Sequence, residues 1–224
     1  MIDLSYWFVN TKASEEALCP DGITRLTEPG FLCSNEALLD GDAYMQQSRT
    51  KRAIILTAEN FEDMEVFFPL FRLLEAGWEV DVAAPQMEEI HGENGYSLEP
   101  TKTIGDVDPD QYDLLLVPGG SPEGAPATVR QIKKAQDITK SFFDKNKPVA
   151  SICHGPWTLA SAGVISGRRL TSYWHDGVPE DIEKAGGIYV DAEVVVDGNL
   201  VTSRWPMDLP AFMRELMKLV EQYP

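Results

Sequence analysis

KPVASICHGPW, residues 147–157, is the stretch that decides the fold. Val149 to Ile152 is a short, largely apolar run that suits a strand covered on both faces of a parallel sheet. Cys153, His154 and Gly155 then lead into a helix expected over Pro156–Ala162, where Pro156 falls in the first turn and its missing N–H costs nothing. A side chain at such a junction stands at the carboxyl edge of the sheet with a helix N-terminus behind it, and the partial positive charge there favours a thiolate. Gly155 leaves room for the tight turn. This is the nucleophile elbow in cysteine form. The competing reading is a small core cysteine that does no chemistry.

Outward from the elbow, strands and helices alternate. Ala53 to Thr57 (AIILT) is another buried strand, and Glu62 to Ala76 a helix with Met64, Phe67, Phe68, Phe71 and Leu74 at helical spacing before the stop at Gly77. Trp78 to Ala84 alternates as a strand, Glu89 to Thr103 reads as an irregular hairpin, and Tyr112 to Val117 is buried again. Arg130 to Lys145 is an amphipathic helix, Leu170 to Tyr173 a fifth strand, and Pro179 to Ala185 a helix closed by Gly186 and Gly187. Tyr189–Val196 and Leu200–Ser203 form a hairpin across Asp197, Gly198 and Asn199, and Asp208 caps a last helix to Gln222. The order predicts an α/β, doubly wound sandwich: a mostly parallel central sheet with helices on both faces and its ligand site at the carboxyl ends of the strands. Residues 1–50 show no sustained period, yet hold Tyr6, Trp7, Phe8, Phe31 and Leu32. They read as an N-terminal extension that packs on the body or on a neighbouring subunit, and residues 51–224 as the domain.

The 224 residues carry 36 acidic and 19 basic side chains, a net charge of −17, with 43% hydrophobic residues. That is the composition of a folded globular chain. Phosphate backbones and anionic membranes are both held by Lys and Arg, so neither nucleic acid nor a membrane is expected as a partner. No run approaches the roughly 20 apolar residues of a bilayer span. The opening MIDLSYWFVNTK lacks the basic leader and apolar segment of a signal peptide, which makes the cytoplasm the expected location. Cys19, Cys33 and Cys153 are an odd number and too few for a disulfide scaffold. Scattered histidines, with one cysteine nearby, argue against a structural zinc site. The glycine pair at 119 and 120 does not fit a phosphate-cradling loop, so neither metal nor cofactor is expected.

Two further stretches bear on the elbow. Val117 to Gly120 (VPGG) ends the neighbouring strand, where the backbone N–H groups of Gly119 and Gly120 can approach a reacting atom. With the His154 N–H they are candidate oxyanion donors. Glu62, in Thr57 to Pro69 (TAENFEDMEVFFP), opens a helix at the same edge. A carboxyl close to a thiolate is driven toward its protonated form and then donates to sulfur. The alternative for Glu62 is simple capping of its helix. His91 reads as a hairpin surface residue and His175 as a loop histidine.

From about Lys51 onward the chain resembles the DJ-1/PfpI family, and most nearly its intracellular-protease-I-like branch. The resemblance rests on TAENFEDMEVFFP, YDLLLVPGG, KPVASICHGPWTLASAGVISGRRLTSYW and DAEVVVDGNLVTSR, in the right order and spacing. It implies a flavodoxin-like sandwich related to class I glutamine amidotransferases. It implies Cys153 as nucleophile, His154 as the adjacent histidine, Glu62 as the acid touching the cysteine, and Tyr173 near the site. That branch also uses a glutamate shortly after the two glycines, contributed across a subunit interface to orient the histidine. Ala127 falls at that position here, and Glu123 is the one acid in the loop SPEGAPAT. The glutaminase signature of a second histidine followed two residues later by glutamate is absent, because His175 precedes Asp176 and Gly177. Homodimers or larger homo-oligomers are implied. The function expected is a cysteine-dependent hydrolase or lyase of a small carbonyl, acyl or peptide substrate: a peptidase, a glutathione-independent glyoxalase or deglycase, or a hydratase. The alternative is a redox-sensing or stress-protective protein that works by oxidation of Cys153.

Overall fold

A computed structural model describes residues 49–223. What the sequence leads one to expect of the preceding segment, including Cys19 and Cys33, lies outside the described residues. In chain order the elements are β1 (Arg52–Leu56), α1 (Asp63–Glu75), β2 (Glu79–Ala84), β3 (Ile90–His91), β4 (Ser97–Leu98), β5 (Lys102–Thr103) and β6 (Leu114–Val117). There follow α2 (Ala125–Gln131), α3 (Lys133–Asp144), β7 (Val149–Ile152), α4 (Pro156–Ala162), β8 (Arg169–Leu170), α5 (Val178–Lys184), β9 (Ile188–Tyr189), β10 (Val194–Asp197), β11 (Leu200–Ser203) and α6 (Leu209–Val220).

Seven strands make one sheet in the order β10-β11-β7-β6-β1-β2-β5, parallel except for the hairpin of β10 with β11. Every residue of β6, β7 and β11 is buried, as apolar runs without alternation require when helices cover both faces. The chain winds outward from β1 to β2 in one direction and from β6 through β7 to β11 in the other. Right-handed crossovers then place helices on opposite faces. Accordingly α1 packs with α6, while α2, α3 and α5 gather around α4. The reversal falls between β1 and β6, so the crevice at their carboxyl ends lies beside the end of β7.

The structure departs from the sequence expectation in four places. Lys102 and Thr103 leave the hairpin, which is only β3 with β4, and add an edge strand beside β2. The helix expected over Arg130–Lys145 begins earlier, at Ala125, and breaks at Ile132, whose ψ of 110° is extended. Residues 170–173 are not a strand of the main sheet: Arg169 and Leu170 pair with β9 in a separate two-stranded sheet. Beyond them the Thr171 N–H goes to the Thr202 hydroxyl at 2.9 Å and the Tyr173 N–H to the Cys153 carbonyl at 2.9 Å, which ties this segment to the elbow. Asp208 precedes α6 but its carboxylate is taken by Arg204 Nε at 2.7 Å, not by the helix.

Candidate active site

The turn after β7 is tight: the Gly155 N–H donates to the Ile152 carbonyl at 2.9 Å before α4 begins. Cys153 sits there at φ +61°, in the left-handed region. For a residue with a Cβ that conformation costs on the order of 1–3 kcal/mol. It persists because the neighbours leave no alternative. A Cβ on Gly155 would stand 2.2 Å from the Val117 carbonyl oxygen and 2.6 Å from Ser151 Oγ. The Cys153 N–H is also fixed, to the Ser203 carbonyl at 3.2 Å. Cys153 is only 6% exposed.

His154 bridges two groups through its opposite nitrogens. Nδ1 lies 3.2 Å from Cys153 Sγ, and Nε2 lies 3.0 Å from Asp176 Oδ2. The ring is flanked by Trp157 and Tyr173, at centroid distances of 5.0 and 4.9 Å. Burial pulls the imidazole below its usual 6.5, against the upward pull of the Asp176 carboxylate, so it is neutral at pH 7. With its Nε2–H donated to a carboxylate, its Nδ1 lone pair faces sulfur; this tautomer is assigned from the hydrogen bonds.

Glu62 does not reach sulfur. It is the residue before α1, and its carboxylate accepts the Glu65 N–H at 2.8 Å and the Asn94 Nδ2 donor at 3.2 Å. An acid at that position finds the free N–H groups of its own first helical turn nearer than anything across the crevice. Glu65, three residues on, is the acid beside the cysteine. It is fully buried, its Oε2 accepts the Gly119 N–H at 2.7 Å, and its carboxyl hydrogen-bonds Cys153.

That bond also removes Gly119 from the oxyanion donors, since its N–H is committed to Glu65. The N–H groups of Gly120 and His154 are the pair that point at sulfur. Gly119 acts instead by having no side chain: a Cβ would lie 2.6 Å from Cys153 Cβ and 2.8 Å from Glu65 Oε2. Gly120, at φ +144°, lets the loop after β6 pack where a Cβ would meet the Asn60 carbonyl oxygen at 2.4 Å.

The electrostatics follow from burial. Desolvation pushes the Glu65 carboxyl well above its usual 4.5, and the charge of Glu62 pushes it further. Desolvation likewise pushes the Cys153 thiol up, as would an ionised Glu65, while the His154 and Gly120 N–H groups pull it down. Two unit charges about 4 Å apart repel by about 4 kcal/mol at an effective dielectric constant of about 20, so this pair does not hold two anions. A neutral Glu65 removes that repulsion and offers sulfur a donor. Burial thus favours a protonated Cys153 beside a neutral imidazole, while the His154 and Gly120 N–H groups favour the thiolate.

Tyr173 is near the site as expected, its ring tilted against that of His154 at 4.9 Å. Glu123 is exposed in the turn before α2 and is not among the groups on His154. His91 is an exposed β3 residue that pairs with Glu59 at 3.3 Å, and His175 is exposed in the loop before α5. Sequence reasoning missed Glu65 and Asp176. A capping-box reading of Glu62 and Glu65 would turn the Glu65 side chain back to its own helix start, so no local signal points it at the cysteine. The Asp176–Gly177 pair marks a left-handed turn, which these residues adopt at φ +59° and +78°. Among the described residues no helix is long and apolar enough to cross a membrane, and no group of three or more His, Cys, Asp or Glu is set to hold a metal ion.

Known proteins resemble this chain in sequence and fold. The DJ-1/PfpI family matches residues 51–219. A deglycase of Thermococcus kodakarensis is 49% identical over 169 residues, 75% of this chain and 99% of the relative. Protein/nucleic acid deglycase 2 of Escherichia coli is 40% identical over 174 residues, 76% and 98% of the two chains. Among solved structures, Drosophila melanogaster DJ-1beta superposes with a TM-score of 0.68 at 30% identity, covering 78% of this chain and 90% of that one. The chain belongs to the DJ-1/PfpI family.

Proposed function

We propose that this chain is a cysteine-dependent hydrolase that removes a small carbonyl or acyl group from an amine, as a deglycase or peptidase does. The observation that carries the reading is the 3.2 Å approach of His154 Nδ1 to Cys153 Sγ at a strand-to-helix elbow. His154, neutral, takes the thiol proton as sulfur attacks the carbonyl carbon. The C–S bond forms as the carbonyl electrons move to oxygen, where the Gly120 and His154 N–H groups are the available donors. Where nitrogen is on that carbon, the C–N bond then breaks, the amine leaving with the proton held by His154, and water hydrolyses the resulting thioester to the acid and the free thiol. Neutral Glu65 donates to sulfur whenever it carries charge.

Relatives named deglycases that cover the same residues support this class of reaction. One such name includes nucleic acid. A net charge of −17 speaks against a surface that grips a phosphate backbone, and not against a modified base entering the site. Work in the cytoplasm as a homo-oligomer completes the proposal, with the exposed Met64, Phe68 and Phe71 of α1 as an apolar surface for a second copy. Turnover of methylglyoxal and its amine adducts, a peptide panel and an isocyanide, each against Cys153→Ala, tests the reading. Loss of one activity in the variant supports it; no substrate separating the two proteins overturns it.

A second reading has its own observation. A carboxylic acid bonded to a buried sulfur, as Glu65 is, also favours a stable sulfinic acid and so a redox sensor. Mild peroxide should then add two oxygens to Cys153 selectively, read by peptide mass; an inert thiol rules this out.

A further inference from the structure

Asp176 lies 22 residues beyond His154 in the same chain, and its carboxylate meets Nε2 at 3.0 Å. Sulfur, imidazole and carboxylate are therefore in line through the two ring nitrogens, the arrangement by which a third group fixes the tautomer of a catalytic histidine. The backbone is bent to achieve this. Asp176 and Gly177 occupy the left-handed region in succession, and the Val178 N–H closes the turn on the His175 carbonyl at 3.2 Å. A non-glycine residue held in that region is a reason to look for function at it. No acid from the loop after the paired glycines is needed: Glu123 is exposed, and Ala127 carries no acid.

We propose that Asp176 is the positioning residue of this site, so that the sulfur–imidazole–carboxylate relay is complete within one subunit. The proposal rests on the hydrolase reading for its purpose, but the relay itself is a property of the resting protein. His154 faces Cys153 from its own turn, with Glu65 of α1 behind the sulfur, and Asp176, His175 and Tyr173 from the loop before α5. On its other side Trp157 of α4 intervenes, with Arg130 over that ring at 4.9 Å. Of these, Asp176 is the group in hydrogen-bond contact with Nε2.

The test uses the full chain and iodoacetamide, with alkylation followed on the Cys153 peptide from pH 5 to 9. Asp176→Asn should slow the reaction at pH 7 by about tenfold. That is less than the about 10⁴-fold cost of the same change in a serine-protease triad, because the Asp176 side chain is 42% open to water. It should also move the His154 inflection in the profile to lower pH, since the carboxylate is what holds the imidazole up. Asp176→Glu should restore most of the rate. In the unmodified protein the His154 ring nitrogens should report the Nε2–H tautomer, and the alkylation rate per chain should not fall on dilution through dissociation of any assembly. An unchanged profile in Asp176→Asn, an Nδ1–H tautomer, or a rate that falls as assemblies dissociate would each overturn the proposal; the last two readings need no variant. An intact relay without turnover of any substrate would sink the hydrolase reading alone, and turnover indifferent to Asp176→Asn would sink this one alone.

Discussion

Glu65→Gln isolates the protonation state on which the site depends. The glutamine keeps an oxygen for the Gly119 N–H and an amide donor for sulfur, so it copies the neutral acid and removes only the ability to ionise. In the native fold Glu65 is fully buried and its carboxyl is held well above 4.5, whereas in the unfolded chain it titrates near that value. Above pH 4.5 the unfolded state therefore binds fewer protons than the native state, and stability falls as pH rises until the raised native value is passed. The slope of a single group is about 1.4 kcal/mol per pH unit. Urea unfolding of both proteins at pH 5, 6 and 7 should show Glu65→Gln gaining on the unmodified chain by about that amount per unit while Glu65 stays protonated. Subtracting the variant cancels the other carboxylates. A stability difference that does not change with pH would mean that Glu65 is ionised in the fold, and the neutral-acid account of the site would fail.

Other consequences follow from the same geometry. At φ +61° glycine is free of the strain that a Cβ carries, so Cys153→Gly should be more stable than Cys153→Ala by about 1 kcal/mol, the reverse of their order in a helix; thermal melts of the two inactive proteins check this. Gly119→Ala should lower stability by about 1–3 kcal/mol and suppress alkylation of Cys153, because its Cβ has nowhere to go between Cys153 Cβ and Glu65 Oε2. Asp63 accepts the Asn94 and Tyr96 N–H groups at 2.8 Å each while 3% exposed. Asp63→Ala leaves both without their partner and should cost about 1–3 kcal/mol, with faster hydrogen exchange confined to residues 92–96.

The parts legible in the sequence are those fixed by short-range physics. Apolar runs at 53–56, 114–117 and 149–152 announce strands buried on both faces, and the alternation with helices fixes the winding that brings their carboxyl ends together. Cys153 was legible for the same reason, because a strand running into a Gly-Pro helix start has one geometry. The choice of the wrong acid beside sulfur concerns which of several nearby groups turns inward. Glu62, Asp63 and Glu65 lie within four residues, and their fates diverge with the helix start: the first caps, the second anchors the β3–β4 turn, and the third enters the site. Placing the helix start one residue early is enough to choose the wrong acid. Asp176 depends on a longer-range event, the departure of residues 171–173 from strand pairing to bond Thr202 and Cys153, which no local period encodes. Gly119 shows a third limit, since an N–H can serve only one acceptor and sequence does not say which.

In the proposed reaction Cys153 forms a covalent bond to the group being removed. The most direct test of this bond is an acid quench of the full chain during turnover of an amine adduct or peptide, followed by mass analysis of the Cys153 peptide. A covalent intermediate should appear on that peptide, formed and lost at rates that match turnover and absent from Cys153→Ala, which should be inactive. Turnover that persists in Cys153→Ala with no adduct on the unmodified protein would contradict it.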